Sequence, residues 1–398
     1  MFRTLPMAPA DPILGLTDAF HADPDPTKVN LGVGVYQDEQ GATPALPSVK
    51  AAETAIVASE TTKAYLPITG RPEFARKVEG FALGEHPALA EGRVQTAYAP
   101  GGTGALRMGA ELLRMMRADG AVWVSTPTWP NHKGIFAAAG MEVREYPYFD
   151  PSLNRVDRGR LLDTLEQVPA GDTVVLHACC HNPTGTDLTM DDWSKIADCA
   201  RRRGWTPFLD AAYLGFGDGI EADRRPLALW LDAGVDALIA ISFSKNMGLY
   251  RERAGALTLI AGDSAEAARA TFSHLKRVIR VIFSNAVGHA SLTVERVLTD
   301  AMLRSLWLGE LNAMCERIHR IRGEFAEGLQ RRGAGDFEFI RRQKGIFGFS
   351  GLTPAQVEYL RTRKHIYMTS DGRINVAGLS ARVMDPVCDA IAEALRTI

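Results

Sequence analysis

The chain has 398 residues, of which 46% are hydrophobic and 23% are charged, and its formal net charge is −2. This length and composition predict a globular protein with a substantial core, large enough for two domains. A charge balance this close to neutral gives no reason to expect a nucleic acid or an anionic membrane as a partner.

The first residues of the sequence lack the long apolar core of a signal peptide, and no stretch is apolar enough over sufficient length to span a bilayer. The five cysteines show no framework spacing, a pattern that fits a reducing compartment. We therefore expect a cytoplasmic protein without a membrane partner.

Between about residues 94 and 260, short β-rich runs alternate with helical patterns. Strands are predicted at 122–125, 174–177, 207–210, 237–242 and 256–260, with helix-like segments such as 105–117 and 190–203 between them. This alternation predicts an α/β fold with a mostly parallel central sheet and helices on both faces. Ligands of such sheets collect at the carboxyl ends of the strands.

The last hundred residues have a different pattern. A long amphipathic helix at about 300–332 leads into a tail with new strands at 345–350 and 373–376. We predict an N-terminal arm at 1–12, a smaller α+β domain formed by 13–46 and 312–398, and a large domain at 47–311.

A glycine-rich turn, Ala99-Pro100-Gly101-Gly102-Thr103-Gly104, opens one of the predicted helices. Main-chain N–H groups at a helix N-terminus, together with the helix dipole, bind anions. A plain helix cap by Thr103 explains the pattern equally well. The turn is neither a GxGxxG nor a Walker loop, which counts against dinucleotides and ATP.

The segment HACCHNPTG, residues 177–185, follows a predicted strand. Asn182 either belongs to an ordinary turn, since Asn-Pro and Gly punctuate chains, or donates its amide to a cofactor oxygen. His177, Cys179, Cys180 and His181 resemble metal ligands, but no distant CxxC or HxxxH completes a tetrahedral set. Buried, inert thiols are therefore favoured, and no metal is expected.

Asp210 ends a predicted strand among apolar residues. One interpretation is a carboxylate that caps the next helix. The other is an ion pair with a protonated pyridine nitrogen, which keeps the ring cationic and able to accept electrons. The residue alone leaves both interpretations open.

Lys245 follows an apolar run, 237–241, that reads as a buried strand. Partial desolvation lowers the pKa of a lysine in such a place and frees its amine as a nucleophile. Ser242 and Ser244 precede it and Arg253 follows, a set of donors that suits a phosphate. A Schiff-base lysine beside a phosphate cradle indicates pyridoxal phosphate. The stretch also satisfies S-x-x-K, but the companion strings SDN and KTG are absent from the sequence, which excludes a penicillin-binding hydrolase.

Six strings occur in one order: GGTGALR, PTWPNH, CCHNPTG, FLDAAYLGF, SFSKNMGLYRERAG and GRINVAGLS. In this order they resemble the class I aminotransferases, in particular the aspartate/aromatic (tyrosine) aminotransferase subfamily with fold type I of the pyridoxal phosphate enzymes. The resemblance runs from Asp11 almost to the C-terminus. It implies pyridoxal 5'-phosphate as cofactor and a homodimer whose active sites are shared across the interface.

The resemblance also implies catalytic roles for the matching residues. Lys245 resembles the lysine that forms the Schiff base and moves the proton between the substrate Cα and the cofactor C4′. Asp210 resembles the partner of the pyridine nitrogen, with His132 behind it. Tyr213 and Asn182 resemble the groups that bond the phenolic oxygen of the cofactor.

Further cofactor and substrate contacts follow from the same matches. Trp129 resembles the residue that stacks on the ring and borders the substrate. The phosphate cradle is implied for Gly101, Gly102, Thr103, Ser242, Ser244 and Arg253, joined by Tyr65 from a partner subunit. Arg373 resembles the arginine that clamps the substrate α-carboxylate, with Gly34 close by and Asn182 also at the substrate.

Substrate choice depends on Arg280, which lies where dicarboxylate-using members carry an arginine donated by the neighbouring subunit. In the family this arginine usually begins R-x-N-Y-S-x-P-P, whereas here the stretch is RVIFSNAV. A lost tyrosine hydroxyl removes a hydrogen bond, and two lost prolines loosen the backbone that aims the arginine. An Arg280 on a solvated helix end is the alternative.

Other pocket neighbours divide into two groups. Those that resemble the aspartate-preferring version are Val35, Thr43, Thr103 and Asn285, whereas Gln37 and Ala64 match neither version well. We expect a ping-pong aminotransferase that uses 2-oxoglutarate as acceptor and prefers aspartate, with aromatic or unusual donors also accepted. The rivals are a lyase on the same scaffold, a β-decarboxylase or β-eliminating enzyme, and a non-catalytic pyridoxal phosphate-binding regulator.

Overall fold

The computed structural model describes residues 2–7 and 14–398 of the chain, apart from the side chains of Arg3 and Leu14. Residues 1 and 8–12 of the predicted N-terminal arm, including Asp11 where the resemblance begins, lie outside the described residues. In the described part, no helix combines the length and the apolarity that crossing a membrane requires.

The strands have the following bounds. They are β1 (Val29–Asn30), β2 (Val94–Pro100), β3 (Val122–Thr126), β4 (Val143–Pro147), β5 (Phe149–Asp150), β6 (Arg155–Val156), β7 (Thr173–His177), β8 (Thr206–Ala211), β9 (Ala237–Ser242), β10 (Ala254–Ile260), β11 (Phe347–Phe349), β12 (Ile366–Tyr367) and β13 (Arg373–Asn375). The predicted runs at 122–125, 174–177, 207–210, 237–242 and 256–260 correspond to β3, β7, β8, β9 and β10.

Sixteen α-helices lie in the described part of the chain. They are α1 (Leu14–Ala22), α2 (Pro47–Ser59), α3 (Pro72–Leu83), α4 (Pro87–Ala90), α5 (Gly101–Met116), α6 (Asn131–Ala138), α7 (Arg158–Leu165), α8 (Met190–Arg203), α9 (Ile220–Asp223), α10 (Arg225–Asp232), α11 (Ala265–Ile282), α12 (Gly288–Thr299), α13 (Ala301–Arg331), α14 (Phe339–Arg342), α15 (Pro354–Lys364) and α16 (Ala381–Thr397). Short 3-10 helices occupy Phe2–Thr4 and Val376–Gly378.

A seven-stranded sheet with the order β2-β10-β9-β8-β7-β3-β4 forms the centre of the fold. Neighbours from β9 to β4 are parallel, whereas β10 is antiparallel to both β9 and β2. The predicted α/β fold with a mostly parallel sheet is confirmed. The reversal of β10 follows from the short, helix-free connection after β9, since a parallel return needs a longer crossover.

Strands β7, β9 and β10 are buried along their whole length, as expected for strands covered on both faces. Helix α5 packs on this sheet at close range. A Cβ atom at Gly109 would lie 2.3 Å from the ring of Phe208, so glycine permits the approach. The surrounding core includes Leu106, Val124 and Leu257.

The chain divides into two compact units. One consists of Pro44–Glu316 and contains the seven-stranded sheet. The other consists of Met1–Thr43 and Arg317–Ile398. This second unit has its own core, with residues such as Leu31, Phe325, Ile374 and Ile391, and two small sheets formed by β1 with β12 and β11 with β13.

Candidate active site

Lys245 lies just beyond the end of β9, on the turn that leads towards β10. Its Nζ atom lies 5.2 Å from the centre of the Tyr213 ring. Burial lowers the pKa of Lys245 to about 8, although the charge of Asp210 opposes the shift; the positive charge of Arg253 adds to it. The amine is therefore neutral in a substantial fraction of molecules near physiological pH, as a nucleophile or base requires.

Asp210 lies near the end of β8 and is only 6% exposed. Its Oδ2 atom is 3.0 Å from Nε2 of His132, whose Nδ1 is 2.8 Å from the Thr128 hydroxyl. Burial alone would raise the pKa of Asp210, but the hydrogen bond with His132 and the nearby positive charges lower it. The other oxygen, Oδ1, is buried without a hydrogen-bond partner.

Two helix-cap alternatives from the sequence are wrong. Asp210 is a strand residue, and the next helix, α9, is preceded by Gly219 as its cap. Thr103 is the third residue of α5, which begins after Pro100 without a side-chain cap. The first N–H groups of α5 are therefore not occupied by a capping side chain, as an anion site requires.

The predicted phosphate ligands meet at this end of α5. A Cβ atom at Gly101 would lie 2.4 Å from Nη2 of Arg253, and one at Gly102 would lie 3.3 Å from Cβ of Ser242. Arg253 Nη1 donates to the Ser244 hydroxyl at 3.4 Å. The main-chain N–H of Ser244 donates to the Ser242 hydroxyl at 3.2 Å. Only glycines allow the guanidinium and both hydroxyls to converge here.

The residues implied at the cofactor ring are buried or half-buried in the same unit. Trp129 is half-buried, and its ring meets that of His132 edge-on at 5.3 Å between centroids. Tyr213 and Asn182 are each 5% exposed, after β8 and β7 respectively. The structure thus groups the ends of β7, β8 and β9, where a ligand of this fold is expected.

Two histidines near this cluster had no functional role in the sequence analysis. His177 is aligned with Asp210 across β7 and β8, and its ring lies 5.1 Å from that of His132. Burial lowers the pKa of His177 to about 3, so the ring is neutral at pH 7. The His181 ring stacks on Tyr148 at 3.9 Å and contacts the Ser125 hydroxyl at 3.0 Å. Only the strand register could have linked His177 to Asp210.

The cysteines of the same segment are buried and unbridged. Burial also raises the pKa of the Cys180 thiol to about 12. Both thiols therefore stay protonated at neutral pH, and a protonated thiol is a poor nucleophile.

Arg373 and Gly34 lie in the second unit. Arg373 starts β13 and is 3% exposed; its Nη2 donates to the Gly32 carbonyl at 3.2 Å. Its guanidinium lies 4.3 Å from the centre of the Phe347 ring, and a Cβ atom at Gly34 would lie 3.1 Å from the same ring. Asn375 donates to the carbonyls of Val33 and Val35 at 2.7 Å each. These contacts fix the Gly34 segment beside Arg373.

Arg280 and Tyr65 differ from the other predicted site residues because both are exposed. Arg280 is in the last turn of α11, where its Nη1 donates to the Ser284 hydroxyl at 2.5 Å. Ser284 has a positive φ of 68°. Tyr65 is 92% exposed. Within one chain, neither side chain reaches the cluster around Lys245, so the solvated helix end proposed as the alternative for Arg280 describes the single chain.

Comparison with known proteins gives a consistent result. The family model for aminotransferase class I and II matches residues 26–391. The chain is 47% identical over 397 residues to aspartate aminotransferase of Escherichia coli (strain K12), covering 99% of this chain and all of that protein. It is 43% identical over 394 residues to aromatic-amino-acid aminotransferase of Pseudomonas aeruginosa, covering 98% of each. The structure of aromatic-amino-acid aminotransferase from Burkholderia pseudomallei, covalently bound to pyridoxal phosphate, matches with a TM-score of 0.97 and 46% identity over 99% of both chains.

Proposed function

The chain belongs to the class I and II aminotransferases, and from this premise we propose that it transfers the amino group of an L-amino acid to 2-oxoglutarate. Aspartate is the favoured donor, and aromatic amino acids are further donors. The observation that carries the proposal is the pairing of a lysine whose pKa is about 8 with a buried carboxylate that has one free oxygen. Relatives of both types, aspartate and aromatic, are similarly identical to this chain.

The residues fit pyridoxal phosphate. Asp210 Oδ1 is buried and accepts no hydrogen bond, so it suits the N–H of a protonated pyridine ring. Ser242, Ser244 and Arg253, with the N-terminus of α5, offer hydroxyl, guanidinium and main-chain donors to a phosphate. When bound, the cofactor ring supplies an electron sink for the bond broken at the substrate Cα.

Lys245 would hold the cofactor covalently and then act as the base that removes the proton from the substrate Cα. Its lowered pKa allows the free amine to accept a proton near neutral pH. Asp210 keeps its negative charge because its pKa is lowered, and His132 orients it from the opposite side. Tyr213 and Asn182 would tune the cofactor from the side of its phenolic oxygen, and Trp129 would stack on its ring.

Arg373 would bind the substrate α-carboxylate, because a planar guanidinium forms two parallel charge-assisted bonds with a carboxylate. Arg280 would bind the distal carboxylate of a dicarboxylic substrate. One site would then serve two half-reactions: the first oxo acid leaves before the second enters, which is ping-pong kinetics. We also propose that the two units act as the large and the small domain of this enzyme.

A homodimer is part of the proposal, because Arg280 and Tyr65 are exposed in the single chain. A cavity of about 670 Å³ lies beside Tyr65, lined by residues of the 56–71 and 285–299 segments that include Asn285 and His289. A partner subunit would cover this surface and receive Tyr65 and Arg280 in its own site. We place the enzyme in the cytoplasm, a proposal supported by its five free thiols.

The first experiment adds L-aspartate, without any oxo acid, to the purified holoenzyme. Bleaching of the cofactor's visible absorption band, with release of one oxaloacetate per subunit, is expected. L-alanine, which has no distal carboxylate, serves as the control and should act far more slowly. Because oxaloacetate itself loses CO₂ to give pyruvate, a β-decarboxylating lyase would instead be identified by conversion of aspartate to L-alanine and CO₂ over many turnovers. An unchanged band without product, with aspartate and with aromatic donors, would contradict the proposal.

A further inference from the structure

Tyr98 is a fully buried side chain of β2 that makes a direct bond to a residue of the proposed phosphate cradle. Its hydroxyl donates to the main-chain carbonyl of Arg253 at 2.8 Å. Strand β2 is antiparallel to β10 and Tyr98 is aligned with Ala256, three residues beyond Arg253. The Tyr98 side chain therefore extends alongside β10 towards the first residue of that strand. Its hydroxyl reaches Arg253, which directly precedes β10.

The backbone of Arg253 needs such support. Its φ of 57° lies in the left-handed region, which is unfavourable for a residue that carries a Cβ atom. A backbone held in this region persists where surrounding contacts determine it. The guanidinium donates to the Tyr250 carbonyl at 3.0 Å and makes longer contacts, at 3.4 Å to the Ser244 hydroxyl and 3.5 Å to the Pro100 carbonyl. The 2.8 Å bond from Tyr98 is the shortest of these contacts.

The aromatic ring of Tyr98 is fully buried and tightly packed. Its ring lies 6.0 Å from that of Phe74 and 6.4 Å from that of Phe283. A Cβ atom at Gly70 would lie 3.2 Å from Cβ of Tyr98. Burial raises the pKa of Tyr98, so the hydroxyl remains a donor throughout the working pH range.

We propose that Tyr98 is a positioning residue: its hydroxyl fixes the left-handed backbone of Arg253 and thereby aims the guanidinium at the phosphate of the cofactor. The inference rests on the proposed role of Arg253 as a phosphate ligand. It gives a function to a residue outside the motifs that identify the family. Tyr98 touches no substrate or cofactor atom in this role and acts through Arg253 alone.

The test compares wild-type apoenzyme with the Tyr98→Phe variant, which keeps the ring and removes only the hydroxyl. Dissociation constants are measured for pyridoxal phosphate, for pyridoxal and for inorganic phosphate. We expect about tenfold weaker binding of pyridoxal phosphate and phosphate, the loss of roughly one hydrogen bond from a displaced guanidinium, with pyridoxal unchanged. Equal weakening of pyridoxal, or no weakening of phosphate, would overturn the inference.

Tyr146→Phe is the matched control. Tyr146 is also buried, and its hydroxyl donates to the Val175 carbonyl at 2.7 Å, in a part of the sheet distant in sequence from the cradle. Both variants lose one buried tyrosine-to-carbonyl bond. Only the Tyr98 variant should change the preference for pyridoxal phosphate over pyridoxal, and the same change in the control would overturn the inference.

A double-mutant cycle with Arg253→Ala separates this inference from the proposed function. In the Arg253→Ala background, Tyr98→Phe should have no further effect on phosphate binding, because its effect passes through the guanidinium. If Arg253→Ala itself leaves phosphate binding unchanged, the proposed cradle fails and this inference fails with it. If Arg253→Ala weakens phosphate binding but Tyr98→Phe does not, the inference alone fails.

Discussion

The cluster around Lys245 and the segment that follows Arg280 are both parts of the proposed site, yet they are built differently. In the cluster, Asp210 near the end of β8 and His132 in the first turn of α6 are buried and hydrogen-bonded to each other. In the segment 280–287, Arg280 is exposed and its bonded neighbour Ser284 has a positive φ. In the proposed enzyme, cofactor chemistry would be fixed by one chain's sheet, whereas side-chain specificity would depend on a surface that the proposed dimer completes.

This difference has a physical cause. The sheet places polar groups where burial and neighbouring charges shift their pKa values, as for Lys245 and Asp210. An exposed arginine gains little in water and needs an enclosed partner to bind a carboxylate strongly. Variation in the second region can therefore change the substrate without changing the reaction.

The largest effect is expected from Lys245→Ala. We expect turnover to fall by more than about 10³-fold, because both the positioned base and its proximity to Cα are lost. Cofactor binding should persist through Asp210 and the phosphate cradle. Steady-state rates and the cofactor content of the purified variant check this, with the exposed Lys195→Ala as control. Near-normal turnover would show that Lys245 is not the base, and that the buried cluster does not fix the cofactor chemistry as the comparison proposes.

Arg373→Ala tests the other buried charge. We expect the activation free energy derived from kcat/KM for amino acids to rise by about 2–5 kcal/mol, the range for removing one side of a buried charged pair. The loss should be similar for aspartate and for aromatic donors, since all carry the α-carboxylate. Arg361→Ala, a change at a half-buried arginine paired with Glu358 in the same unit, is the control. An unchanged kcat/KM would place the α-carboxylate elsewhere.

The two regions also differ in how far the sequence predicts them. Strands β3, β7, β8 and β9 are long apolar runs, so their carboxyl ends, with Asp210 and Lys245, were located from the pattern of residues. Strand β4, with exposed Glu145 and half-buried Arg144, gives no such pattern and was missed, as was β2. Strand β4 is an edge strand with a partly exposed face, so its sequence is more polar.

Contacts that depend on register could not be predicted. His177 lies opposite Asp210 because β7 and β8 are neighbours with a particular alignment. Tyr98 reaches Arg253 because β10 reverses direction between β9 and β2. Neither the order of the strands in the sheet nor the reversed direction of β10 can be predicted from the residues of any one segment. The role of Arg280 could not be predicted from the sequence for another reason. In the proposed dimer it would bind substrate in the active site of the partner subunit, which is a second chain.

Arg280→Ala sharpens the comparison because its effect should depend on the substrate. We expect the activation free energy derived from kcat/KM to rise by about 1.5–3 kcal/mol for aspartate, the usual strength of hydrogen bonds to charged groups. For aromatic donors it should change little. The measured quantity is the ratio of kcat/KM for aspartate to that for phenylalanine. An unchanged ratio would show that Arg280 remains on a solvated helix end in the enzyme.

A matched series can locate the cause. Phe283→Tyr restores the hydroxyl that the family carries three residues after the arginine, at a position where the ring of Phe283 meets Tyr98 edge-on. If the altered stretch 281–287 positions Arg280 less firmly than the family sequence does, this variant should raise the ratio of kcat/KM for aspartate to that for phenylalanine. The same change in the Arg280→Ala background should then have no effect on the aspartate ratio.

The smallest effect on turnover is expected from Glu79→Gln. This variant tests whether a shifted pKa is by itself enough to identify a functional group. Burial raises the pKa of Glu79 from 4.5 to about 7, although a hydrogen bond with Thr96 and the charge of Arg76 oppose the shift. The folded state therefore holds this proton more tightly than the unfolded state does. Its contribution to stability is complete below pH 4.5 and is lost as the pH rises to about 7.

Glu79→Gln removes that dependence. Relative to wild type, the variant should be more stable at pH 8 than at pH 5, by about 1–3 kcal/mol in the free energy of unfolding, with turnover unchanged. Urea denaturation at both pH values measures the difference. Glu73→Gln on the same helix is the control: a hydrogen bond with Arg76 lowers the pKa of Glu73 below its usual 4.5, so this carboxyl is ionised in both states at pH 5 and pH 8 and its replacement should give no difference between the two pH values. A large loss of turnover in Glu79→Gln would mean that the site extends to α3, since a buried acid that only supports the fold can lose its charge without affecting catalysis.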